Sequence, residues 1–296
     1  MPTLNNKISS RINKIRNWMK KQKIECFIVP HSDEYLSEYI PPENERLAWA
    51  TGFTGSAGLA LITLNKGAVF VDGRYTVQVK EQVDSNLYEL LHIKDNPWNK
   101  WIKQNLRTGS IIGYDSRLHQ ANWEVNTKKI LGNDIALNAI DENPIDLFWK
   151  DRPDPHKDVA LLLNEKYTGI SSEKKRKQMA NEISKNKCDA AFLTQLDSIA
   201  WLLNIRGNDV PCNPILLCHG ILYADASFDL FINESKIPKD FHNHVGSNIS
   251  VITPNKMKDR VARLSGKKIQ LDSAKSNGWS KRLLTDADVT VVDKVD

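Results

Sequence analysis

The segment Val71-Asp72-Gly73-Arg74-Tyr75 sets a cation where a helix should begin. Asp72 is a helix-capping residue type, so a helix is predicted from Tyr75 to about Val83, and Arg74 then meets the positive end of its dipole. A carboxylate should neutralise it. Two sources are open: an acid of the same domain, or a carboxylate of a ligand or partner domain, which the parallel N–H groups of a guanidinium match in geometry. Arg206 stands in a comparable place within Leu203-Asn204-Ile205-Arg206-Gly207-Asn208-Asp209-Val210, and its simplest reading is a local ion pair with Asp209.

Other chemistry is excluded by context. Gly52, Gly55 and Gly58 invite a nucleotide loop, but Leu-Ala-Leu-Ile-Thr follows them and alternates as a strand does. A phosphate-binding loop instead opens a helix whose N-terminus meets the anion. Ser56 lies among these glycines with no histidine placed to activate it, so no catalytic residue is assigned. The four cysteines are too few and too dispersed for a disulfide scaffold; Cys26 and Cys188 read as buried thiols, and Cys212 and Cys218 fit no zinc spacing. His242 and His244 read as a loop or surface pair, and no metal ligand set emerges.

With 41% hydrophobic and 26% charged residues, the 296-residue chain has the composition of a soluble globular protein. No apolar run approaches the roughly 20 residues needed to cross a bilayer, and Met1 to Ser10 has no apolar signal core, so a cytoplasmic protein with no membrane partner is expected. The net charge of +5 comes from lysines on helical faces, among them Lys174, Lys175, Lys177, Lys185 and Lys187. Aromatic residues do not interleave with them, which points to a solvated face and no nucleic-acid partner.

The elements that must position these residues occur twice. An amphipathic stretch with Ile8, Ile12, Ile15, Trp18 and Met19 leads through Cys26 into Phe27-Ile28-Val29; later, Met179, Ala180 and Ile183 lead through Cys188 into Ala190-Ala191-Phe192-Leu193. The cysteines are offset by 188 − 26 = 162 residues, and Trp49 and Trp201 by 201 − 49 = 152, so a duplicated unit has diverged, with ten extra residues in the first copy. The first unit continues with paired strands at 59–63 and 68–71, a strand at 110–114, a helix at 122–130 and a strand at 135–140. The second is predicted as helix 172–185, strand 190–193, helix 198–204, a hairpin of 214–219 with 221–224, strand 228–232, helix 256–265, and strands 268–271 and 289–292. The class is α/β, with two mixed sheets flanked by helices. Prolines 153 and 155 mark the boundary, giving domains 1–155 and 156–296.

At these residues the chain resembles a known family. Arg46 to Gly58, Asp72-Gly73-Arg74-Tyr75, Trp149 with Asp151-Arg152-Pro153, Tyr167 to Ser171 and Leu196 to Val210 are similar, in order, to the long form of aminopeptidase P, the Xaa-Pro aminopeptidases related to creatinase and prolidase. The resemblance covers nearly the whole chain. It implies two tandem creatinase-type N-terminal domains, with the catalytic pita-bread domain absent: the chain stops at Asp296, about where that domain begins. It further implies a parent hydrolase, a metallopeptidase with two divalent metals, manganese, in that domain, which removes the N-terminal residue from peptides with proline in second position. The parent's metal-bridged water would attack the imide carbonyl.

For this chain alone the resemblance implies no cofactor, no peptidase activity, and a role in substrate access and subunit contacts. Its implied partners are its own catalytic domain, peptide substrates of the parent and a second subunit in a homodimer. In creatinase-like relatives an N-terminal domain offers an arginine to the substrate carboxylate, so Arg74, Tyr75 and Arg206 become the candidate substrate-binding residues. The rival readings are a stand-alone peptide- or protein-binding module of the same fold, and a small-molecule α/β enzyme using the glycine run, which the strand after that run disfavours.

Overall fold

The fold, obtained as a computed structural model, is described for residues 4–296, with side chains from residue 6 onward. The chain divides into two compact units, one formed by residues up to 33 with 42–154 and the other by 34–41 with 155–296. In the first unit, β1 (Cys26–Pro30), β2 (Gly58–Thr63), β3 (Gly67–Val71), β4 (Glu89–His92), β5 (Ser110–Tyr114) and β6 (Ile135–Ala139) form one sheet in the order β4-β3-β2-β1-β5-β6. β1, β2 and β3 are antiparallel neighbours, and the remaining pairings are parallel. The helix Leu4–Gln22 carries its apolar stripe to one face of this sheet, burying Ile8, Ile12, Ile15 and Met19 against Phe27, Val29 and Ile62. Helices Trp98–Asn105 and Trp123–Leu131 cover the other face with Trp101, Ile102 and Leu131.

The second unit contains a two-stranded ribbon, β7 (Leu161–Leu162) with β9 (Ile205–Arg206). Its sheet is built from β8 (Ala190–Leu193), β10 (His219–Tyr223), β11 (Phe228–Phe231), β12 (Ile249–Ile252), β13 (Lys268–Leu271) and β14 (Thr290–Asp293), in the order β12-β11-β10-β8-β13-β14. Order and strand direction repeat those of the first sheet.

The backbone corrects the pairing of the repeats. Lys23 and Lys187 take the same left-handed conformation, with φ of 57° and 55°. In each unit the residue two further on accepts, through its carboxylate, the N–H of the parallel neighbour strand: Ile111 donates to Glu25 Oε2 at 2.7 Å, and Lys268 to Asp189 Oδ2 at 2.9 Å. The offset here is therefore 187 − 23 = 164, so Cys26 corresponds to Ala190 and Cys188 to Ile24. After the tryptophan helices, Gly52 and Asn204 both close in the left-handed region, and the offset of 152 stands. The first copy thus has twelve extra residues, and 34–41 lie among them. That stretch belongs to the second unit, where the Tyr35 ring lies 4.8 Å from His219 and Asn277 Nδ2 donates to Glu34 O.

Several local expectations change. The hairpin is β10 with β11, turning at 224–227, in place of 214–219 with 221–224. Residues 214–216 run instead beside 207–210, with Gly207 N–H to Pro214 O and Asp209 N–H to Ile215 O, and Gly220 is a strand interior: a Cβ there would meet the Phe228 ring at 2.3 Å. The helix expected from Tyr75 begins only at Gln78, after a 3₁₀ turn at Gly73–Tyr75. Helices Arg46–Thr51 and Gly278–Asp286 and strands β4 and β12 carry too weak a periodic signal to be read from sequence.

Candidate functional site

β3 delivers Asp72 to the surface, and the turn that follows is built around Arg74 and Tyr75. The Asp72 carboxylate accepts the Arg74 N–H at 2.9 Å and the guanidinium through Nη2 at 2.7 Å, and these bonds to Arg74 hold its pKa below the usual carboxylate range. The neutralising acid is therefore two residues away in the same domain. Because Arg74 sits in a 3₁₀ turn ahead of the helix, the dipole argument does not govern it. Its side chain remains 67% exposed, with the guanidinium 5.2 Å from the centre of the Tyr75 ring. Tyr75 is fixed at both ends: its hydroxyl lies 2.6 Å from Ser56 Oγ, and its ring meets Phe53 edge-on. Ser56 thus serves as a hydroxyl anchor. Gly55 has no room for a side chain, since a Cβ would lie 2.3 Å from Phe53 and 2.8 Å from Tyr75. Thr54, Gln78 and Gln82 continue this polar surface through mutual hydrogen bonds.

Arg206 is placed differently. Its Nη1 donates to the carbonyls of Ala200 and Ile205, at 3.2 and 2.8 Å, closing the end of the tryptophan helix. Asp209 is not its partner. Lys236 takes that carboxylate at 2.6 Å, with the two side chains 8% and 1% exposed, because β9 points Arg206 back along the helix while Asp209 turns inward toward Leu217 N–H. Arg74 and Arg206 belong to different units.

One cation site escaped the sequence reading. Lys175 is buried, unlike the neighbouring lysines of its helix; Nζ donates to Trp201 O at 2.9 Å and Asn204 Oδ1 at 2.6 Å, and lies 4.4 Å from the Trp201 ring centre. Burial, then the nearby Arg206, pulls its pKa down. Arg11 does the same in the first unit, donating to Trp49 O at 2.9 Å with its guanidinium 4.8 Å from the Trp49 ring. The offset of 164 pairs these two cations, and that offset was the signal that could have found them.

Cys26, Cys188 and Cys218 are buried, and Cys212 is exposed. His242 and His244 share the short helix Phe241–Val245, where His244 Nε2 lies 3.0 Å from Asn204 O. Among the described residues, no group of three or more His, Cys, Asp or Glu side chains converges as a metal site would require. No helix among them is long and apolar enough to cross a membrane.

The creatinase/prolidase N-terminal domain family matches this chain twice, over residues 11–142 and 151–296, one match on each sheet. The chain belongs to the creatinase/prolidase N-terminal domain family. As such a tandem, it is similar to the probable Xaa-Pro aminopeptidase P of Ajellomyces capsulatus (strain NAm1 / WU24), at 35% identity over 250 residues, covering 82% of this chain and 40% of the relative. The corresponding protein of Aspergillus fumigatus (strain Af293) is 34% identical over 259 residues, covering 86% of this chain and 39% of the relative. The fold is shared with the X-prolyl aminopeptidase of Caenorhabditis elegans, described as a cytosolic enzyme with a di-nuclear active site. The TM-score is 0.89 at 24% identity, over 97% of this chain and 50% of that one. This creatinase/prolidase tandem spans about 40% of the length of the curated relatives it matches.

Proposed function

We propose that this chain is the N-terminal, non-catalytic region of a cytosolic Xaa-Pro aminopeptidase, where it shapes substrate access and subunit contacts. The observation that supports this reading is the similarity to Xaa-Pro aminopeptidases over 82% of the chain, while the chain accounts for 40% of such a relative. Two divalent metals, manganese in this reading, belong to the remainder of the parent; the residues present here do not fit them, since no ligand group converges among those described.

The isolated chain is expected to release no N-terminal residue from Arg-Pro-Pro with added manganese, and the full-length protein is expected to release it. Turnover by the isolated chain that survives repurification and scales with protein would overturn the assignment.

In this reading Arg74 and Tyr75 offer an outward cation and an anchored ring to a peptide carboxylate or to the catalytic domain, and Arg206, which closes the tryptophan helix, is the candidate of the second unit. An exposed ion pair between residues two apart contributes little to stability. Arg74→Ala should therefore leave the melting temperature of this chain nearly unchanged while raising KM, or lowering kcat/KM, in the full-length enzyme. A drop of many degrees accompanied by full activity would make Arg74 a fold residue.

A further inference from the structure

The two units differ in what covers one face of each sheet. In the first, β6 passes the chain to Ile140, whose N–H meets Tyr114 O at 2.9 Å, and on to a short helix, Pro144–Phe148, capped by the Asn143 side chain. This helix buries Ile145 completely and sets the Trp149 ring 6.2 Å from Trp49, which is only 5% exposed. Beneath it, Ile15, Met19, Val29 and Ala50 are almost fully shielded from solvent.

In the second unit β14 leaves its sheet in the same register. Lys294 N–H meets Leu271 O at 3.2 Å, as Ile140 meets Tyr114, with an offset of 294 − 140 = 154. The positions equivalent to Ile15, Met19, Val29, Ala50 and Trp49 are Met179, Ile183, Leu193, Leu202 and Trp201. Here they line a groove of about 320 Å³, with Val295 and Asp296 at its rim; Ile183, Leu193 and Leu202 are themselves buried, and Met179 and Trp201 are the accessible positions. Trp201 is 45% exposed, where its counterpart is covered. The contacting pair Trp18 and Phe27 of the first unit corresponds here to Glu182 and Ala191, both of which line the groove.

We propose that this groove is the seat of the chain that follows Asp296 in the longer protein. The occupant is a short amphipathic helix that lays one apolar side chain on the floor and an aromatic ring against Trp201. The inference rests on reading this chain as part of a longer aminopeptidase. Register chooses the occupant: β14 brings Val295 and Asp296 to the groove's edge, where the first unit begins its own covering segment. So does shape, since the groove lies over a sheet face beside helices 172–185 and 196–203 and presents no strand edge for an extended peptide to join. The curated relatives supply the length, having more than twice the residues matched here.

The test compares the 296-residue chain with the full-length protein, both carrying Met179→Cys as a thiol probe in a Cys212→Ser background, so that the remaining cysteines of these 296 residues are buried, with labelling read at residue 179 by peptide mass. Maleimide labelling of residue 179 should be at least tenfold slower in the full-length protein. It should recover when the apolar residues of the stretch just after Asp296 are changed to serine. Circular dichroism checks that every variant is folded, and hydrogen exchange across 179–183 and 196–203 gives a second reading that needs no substitution. Equal labelling and equal exchange in the two proteins would overturn the proposal. So would slow labelling of the short chain that depends on its concentration, because a second copy would then hold the groove. Peptidase activity is scored separately: protection without turnover leaves the seat standing and removes the enzymatic reading, whereas turnover without protection removes the seat alone.

Discussion

Asp209→Ala is expected to destabilise the second unit by about 3–5 kcal/mol, the usual consequence of stranding one member of a buried ion pair. The Lys236 ammonium lies 2.6 Å from Asp209 Oδ1, and both side chains are buried. Asp209 Oδ2 also accepts the Leu217 N–H at 2.7 Å, fixing the irregular run that precedes β10. The substitution leaves a buried cation and an unpaired amide together. Replacing both members, with Asp209→Leu and Lys236→Met, should recover much of the loss, since an apolar pair of similar volume carries no desolvation penalty. The measurement is native-state hydrogen exchange in β8, β10 and β11, because two units with separate cores need not melt as one transition. Protection should fall by at least two orders of magnitude in those strands and stay unchanged in β1, β2 and β3. A fall of less than tenfold would show that the pair is dispensable.

Mild acid should weaken both units through one histidine in each. His119 lies 4.0 Å from the Trp123 ring and His219 4.8 Å from the Tyr35 ring. Each is 7% exposed, and neither Nε2 has a hydrogen-bond partner. Burial pushes each imidazole down to about 4 from an ordinary 6.5, with the Asp115 carboxylate opposing this at His119. The sign follows from the unfolded chain, which takes up the proton first. The stability gained by keeping these rings neutral is complete above pH 6.5 and is lost progressively as pH falls toward 4, at about 1.4 kcal/mol per pH unit for each ring. His119→Phe and His219→Phe keep an aromatic ring and remove the proton site. Each should flatten the dependence of urea stability on pH between 6.5 and 4 in its own unit by about that slope, and identical slopes in wild type and variants would refute the assignment.

Much of the first-order structure is legible in local pattern. The helices Leu4–Gln22 and Ser172–Lys185 are written as apolar stripes at helical spacing, and Phe27-Ile28-Val29 and Ala190-Ala191-Phe192-Leu193 as short apolar runs that become central strands. Asp72 is legible as a capping residue, because an aspartate that accepts an N–H two residues on is a local device, but what it caps is the 3₁₀ turn Gly73–Tyr75 and not the helix expected there. The same logic fails for the hairpin at Gly220. Residues 214–218 are apolar enough to pass for a strand, but their partners lie at 207–210, and only the closed chain shows this. It fails for Arg206 as well: Asp209 is its neighbour in sequence, while Lys236, 27 residues further along, is the nearer cation in space.

The sequence by itself determined the class, the duplication and the family likeness, because these rest on periodicity, on two tryptophan helices 152 residues apart, and on ordered motifs. Tertiary structure alone decided the true register of the repeat. That register is carried by two left-handed lysines and two carboxylates that accept a neighbour strand's N–H, and neither has a compositional signature. It alone decided that 34–41 fold with the second unit, that Lys175 is buried beneath Trp201 while Lys174 and Lys177 are solvated, and that Trp201 is exposed where its counterpart Trp49 is covered. The physical reason is the same each time. Helices and strands follow from residues a few positions apart, whereas the partner of a buried charge and the cover of an apolar face are chosen among groups brought together only when the sheet closes its register.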